Sequence, residues 1–119
     1  MYFNRVLPAA LVMAVSLTAT AASAHAHMTA ATPAAESTVT APRSVTLTFS
    51  ERLVPAFSSL EITNAAGTRS TVATTVSEDG KTLVGTLSAP LTTGRYTVQW
   101  AIASGDGHRM TGTHAFTVR

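Results

Sequence analysis

Two stretches of this chain carry side chains that could grip a ligand together: His25-Ala26-His27 near the start and Ser104-Gly105-Asp106-Gly107-His108 near the end. Both offer nitrogen and oxygen donors, which makes metal binding the chemistry to consider. A cut after Ala24 would make His25 the N-terminus, so that one residue offers an amine and an imidazole nitrogen. The amine has a reference pKa of about 7.7–8.0 and yields its proton to a metal readily near neutral pH. Asp106 and His108 stand two apart around a glycine, so both can turn to one side of a loop. Taken alone that loop is ordinary, because Asp and Gly are turn formers and loops are polar. Joined to His25 it gives an N-rich donor set suited to one tetragonal Cu(II) per chain, and Cu(II) heads the divalent affinity order. Zinc takes the same ligands but prefers a tetrahedron, whereas an N-terminal chelate favours planar geometry.

His27 offers a rival site. As third residue it could bind Cu(II) with the amine and two deprotonated backbone amides, leaving Asp106 and His108 idle. The cross-chain site is preferred because a metal gains more from a preorganised site than from ordering a free tail.

The residues before His25 set up this chemistry. Arg5 gives a positive start, residues 6–19 are mostly apolar, and Ala22-Ser23-Ala24 is the small-residue pattern of a signal-peptide cleavage site. The apolar run is shorter than the roughly 20 residues of a spanning helix. The expectation is a secretory signal over 1–24 and one domain over 25–119. Cleavage after Ala26 also fits the small-residue rule and would leave His27 first.

Removing 24 of 119 residues leaves 95, enough for one domain with a core. Seven basic and six acidic side chains remain after Ala24, with no basic block to suggest nucleic acid. Cysteine is absent, which excludes disulfides, thiolate metal sites and a Cys nucleophile. No Ser sits in a nucleophile-elbow pattern.

The elements that must position these residues read as strands. Residues 29–42, rich in Ala, Thr, Pro and Ser, suit an extended sheet edge. Residues 44–50 alternate, with Val45, Leu47 and Phe49 inward, and Glu51 continues that phase past the strand end. Residues 53–57 read as a loop whose Phe57 covers the core. Residues 59–63, 71–76 and 81–87 read as strands, the last two joined by a turn with the Asp79-Gly80 hairpin signal. Residues 95–103, with Tyr96, Val98, Trp100 and Ile102 in phase, form the strongest strand. Residues 111–118 close the domain, with His114, Phe116 and Val118 inward and His114 a core or sheet-edge residue. No helical period occurs after the leader. The expectation is all-β: an antiparallel Greek-key, immunoglobulin-like β-sandwich or barrel of about seven strands.

The sequence resembles the CopC-type periplasmic copper-binding proteins. The likeness rests on His25 ahead of Thr32-Pro33, on Leu47-Thr48-Phe49-Ser50-Glu51, on a Trp-bearing strand, on Ser104 to His108, and on Gly112 through Phe116-Thr117-Val118. It implies a Greek-key β-fold, with Cu(II) held by the amine and imidazole of His25 and by Asp106 and His108. Glu51 would stand beside the ion, behind its ligands or as a weak axial ligand, and His27 would be a non-ligand. It implies an exported, monomeric, periplasmic copper carrier or buffer, with a CopD-like inner-membrane copper transporter as partner. Some members add a methionine-rich Cu(I) loop; only Met28 and Met110 follow the leader here, so no Cu(I) site is expected. Two other classes compete. A copper oxidase with an N-terminal histidine brace needs open coordination positions and an aromatic face, but the strand phases send nearly all aromatics inward. A metal-free secreted β-sandwich would bind no Cu(II). Import and detoxification demand the same site.

Overall fold

Alternation between β-branched or aromatic residues and small polar ones builds two sheets. The computed structural model describes residues 26–119. The expected leader, its cleavage site and His25 lie outside them. The first sheet holds β1 (Met28–Thr32), β3 (Ser44–Phe49), β6 (Val72–Val76) and β7 (Thr82–Leu87) in the order β1-β3-β7-β6, all antiparallel. The second holds β2 (Thr38–Val39), β4 (Ser59–Asn64), β5 (Arg69–Ser70), β8 (Gly94–Ala103) and β9 (Arg109–Val118) in the order β2-β9-β8-β4-β5. Its pairs are antiparallel except β2 with β9.

The inward phases named above meet between the sheets. Val45, Leu47, Phe49, Ile62, Leu83, Val98, Ile102 and Phe116 are at most 1% exposed. Burying each such side chain contributes about 1.5–3 kcal/mol, which is how a domain without disulfides holds together. Phe49 meets Trp100 edge-on at 5.2 Å, and Tyr96 stacks on Phe116 at 5.9 Å. The Tyr96 hydroxyl donates to the Thr92 carbonyl at 2.8 Å, so its polar end is satisfied.

The structure corrects several expectations. There are nine strands among the described residues rather than about seven; the additions, β2 and β5, are two residues each, too short for any alternation to show. Phe57 does not cover the core but is 58% exposed, and Leu53, at 6%, fills that role. Pro55 opens a single 3-10 turn, Pro55–Phe57, which swings the Phe57 ring out to where the Arg109 guanidinium lies 5.7 Å from its centroid. Trp100 is only partly buried. Glu51 is exposed, because the ladder ends at Phe49 and the inward phase ends with it. His114 is half-buried, its Nε2 3.1 Å from the Pro33 carbonyl oxygen, in keeping with a structural histidine. β9 begins at Arg109 rather than at 111, because Ala103–Arg109 and Ile102–Met110 pairs extend the β8–β9 ladder.

Candidate metal centre

The extended hairpin leaves only residues 104–108 as a turn, and its own side chains shape it. Ser104 is 2% exposed and its hydroxyl donates to Asp106 Oδ1, which also accepts the His108 backbone N–H at 3.1 Å. The Ser104 N–H donates to the His108 carbonyl at 3.0 Å, and the Gly107 N–H to the Ser104 carbonyl at 2.9 Å. Gly107 has φ +87°, a left-handed conformation that costs glycine little and other residues more. This tight return sets Asp106 and His108 face to face, with His108 Nδ1 2.8 Å from Asp106 Oδ2.

That contact fixes the chemistry the pair can offer. In the metal-free pair Nδ1 donates to the carboxylate and Nε2 faces away from Asp106, so a single cation would meet both side chains by replacing the shared proton between Nδ1 and Oδ2. Asp106 accepts three hydrogen bonds, and a carboxylate has about four lone-pair sites, so it retains capacity for a cation. The Ser104 hydroxyl above all, then the His108 backbone N–H and the His108 side chain, hold the Asp106 carboxyl far below the usual carboxylate range. The negative charge is therefore permanent at any physiological pH. Both side chains are reachable from solvent, His108 at 53% and Asp106 at 38% side-chain exposure.

Two donors do not make a strong metal site. Among the described residues no group of three or more His, Asp or Glu comes together to hold a metal. His25, the third expected contributor, lies outside them, but the residues that follow it are firmly placed. Ala26 is 1% exposed and belongs to the core cluster. The His27 N–H donates to Ser50 Oγ at 3.0 Å, and the Ser50 N–H donates to the His27 carbonyl at 2.9 Å. Two residues on, the Arg52 carbonyl accepts the Gly105 N–H at 3.2 Å, beside a β-bridge between Leu53 and Ser104.

The segment leaving β3 thus touches the start of the described chain with Ser50 and the Asp106-His108 turn with Arg52. Extended chain covers at most about 3.6 Å per residue, so these two attachment points are no more than ~7 Å apart along the backbone. Glu51 sits between them. The residue types at 104–108 were readable as a grip. The bridging roles of Ser50 and Arg52 were not, and the only signal for Ser50 is a small hydroxyl residue at a strand end. The two remaining histidines stay out of the pair: His27 is exposed beside Ser50, and His114 faces Pro33.

The CopC domain family model matches residues 28–119. Copper resistance protein C of Xanthomonas campestris pv. juglandis is 31% identical over 124 residues, covering 98% of each chain. Protein YobA of Escherichia coli K12 is 37% identical over 111 residues, covering 91% of this chain and 90% of YobA. Among solved structures, CopC from Methylosinus trichosporium OB3b superposes with a TM-score of 0.74 at 31% identity, over 79% of this chain and 93% of that one. PcoC, described as a methionine-rich copper resistance protein from Escherichia coli, has a TM-score of 0.74 at 33% identity over 81% and 100%.

Proposed function

This chain belongs to the CopC family, and on that premise we propose that it is an exported, non-enzymatic copper-binding protein of copper resistance or homeostasis. Its cargo is one Cu(II), held by the amine and imidazole of His25, by His108 and by Asp106. Glu51 acts beside the ion as a weak axial or outer residue. The metal is sequestered, or passed in the periplasm to a CopD-like membrane transporter.

The observation that carries this reading is the Ser50 to Arg52 segment, hydrogen-bonded at one end to His27 and at the other to the Asp106-His108 turn. His25 is two residues from His27, a reach of at most about 7 Å, and His27 is tied through Ser50 to the short segment whose Arg52 holds the turn. The donor chemistry fits: an imidazole, an amine, a second imidazole and a permanent carboxylate suit Cu(II). The methionines fit as well. Met28 and Met110 are partly buried and packed against the core, which supports a packing role and no thioether Cu(I) site.

The test is a Cu(II) competition titration on protein starting at His25, beside protein carrying one extra glycine before it. The native form is expected to take one equivalent, and the extension to weaken binding by orders of magnitude because it removes the amine-imidazole chelate. His108→Ala should weaken binding comparably with the fold intact. Equal binding by native and extended protein would remove the N-terminus from the site.

A further inference from the structure

The His27 backbone is held from both sides by one residue. Ser50 Oγ accepts the His27 N–H at 3.0 Å, and the Ser50 N–H donates to the His27 carbonyl at 2.9 Å. The first bond is a side-chain addition just before the β1–β3 ladder, whose register shifts between Met28 and Ala30. The ladder alone would leave this amide to solvent, since His27 is exposed and precedes β1. The amide matters because the rival copper mode needs it: an N-terminal chain with histidine third binds through that histidine's own backbone nitrogen.

We infer that Ser50 selects the copper coordination mode, by engaging the His27 amide and directing the chain start toward the Asp106-His108 turn instead of letting it wrap the metal locally. Ser50 is a positioning residue and contacts no metal. The inference rests on the site proposed above. Its geometric basis is independent of the ion: the hydroxyl withholds one backbone nitrogen, and Arg52, two residues later, ties the same segment to Gly105. Ala26 reinforces the direction, because local wrapping also needs the Ala26 amide, and recruiting it would pull a buried methyl toward water.

The experiment uses protein beginning at His25, in wild-type, Ser50→Ala, Ser50→Thr and His108→Ala forms. In the metal-free state, hydrogen exchange of the His27 amide should be slow in wild-type and Ser50→Thr and at least about tenfold faster in Ser50→Ala, with an unchanged unfolding midpoint showing the fold is kept. With Cu(II), Ser50→Ala should bind about 10–100-fold more weakly, the range typical of lost outer-shell support. Its visible absorption band should move toward that of a short peptide with histidine third, and Ser50→Thr should restore the wild-type band. An unchanged band and affinity in Ser50→Ala, while His108→Ala still weakens binding, would overturn the Ser50 role and leave the site standing. Full affinity in His108→Ala would remove the site and this role together.

Discussion

At the scale of single residues, the pair Asp106–His108 shows how short a stretch brings a carboxylate and an imidazole together. Ser104 Oγ and the His108 N–H stabilise the Asp106 carboxylate, so its folded pKa lies below the unfolded value of about 3.9. A depressed carboxyl contributes stability that is present above the unfolded value and lost as pH falls through the folded one. In metal-free protein the Asp106 carboxyl, followed by NMR, should therefore titrate well below 3.9. Ser104→Ala should raise that midpoint, because the Ser104 hydroxyl is the largest cause of the shift. An unmoved midpoint would show that the hydroxyl does not hold the carboxylate.

At the scale of elements, the β8–β9 hairpin carries the turn and must be rigid to present it. Its register pairs Trp100 with Gly112, and the indole lies over the glycine. A Cβ at Gly112 would come within 2.2 Å of the ring, an approach no real Cβ makes. Gly112→Ala should cost about 1–3 kcal/mol through overpacking. In a domain of this size each kcal/mol lowers the melting temperature by roughly 4–8 °C, which thermal denaturation will read. Gly105→Ala, in the turn itself, meets nothing within 4 Å and has no positive φ, so its melting temperature should stay close to wild-type. Equal melting temperatures for the two variants would deny Trp100 its packing role.

For the whole molecule, the start of the described chain belongs to the fold. Ala26 sits in the core at 1% exposure, so of the two expected cleavage positions the one after Ala24 keeps a core residue and the one after Ala26 discards it. Protein beginning at His27 should be less stable than protein beginning at His25, by on the order of 1 kcal/mol for the lost methyl. It should also bind Cu(II) more weakly. Matched thermal melts and titrations of the two forms decide this, and identical melts would mean the core is indifferent to the cut. Most aromatic surface is used internally; Phe57 is the exposed large hydrophobic among the described residues, too little for an aromatic substrate platform.

The sequence alone determined what local pattern can encode. Alternation placed Val45, Leu47 and Phe49 inward, as it did Tyr96, Val98 and Ile102, because strand side chains change face at every residue. It also singled out Asp106 and His108, since a glycine between two polar residues turns both to one side. Tertiary structure decided whatever depends on who lies opposite. β2 and β5 exist only through their partners β9 and β4, having no pattern of their own at two residues each. Phe57 turns outward at the 3-10 turn that Pro55 opens, while Leu53 is the residue of this stretch that joins the core. Glu51 left the inward phase when pairing stopped at Phe49. The link between the two ends of the chain was the least legible feature. It runs through the backbone of His27, Arg52 and Gly105 and one serine hydroxyl, and backbone groups are the same in every residue, so only the fold says which of them meet.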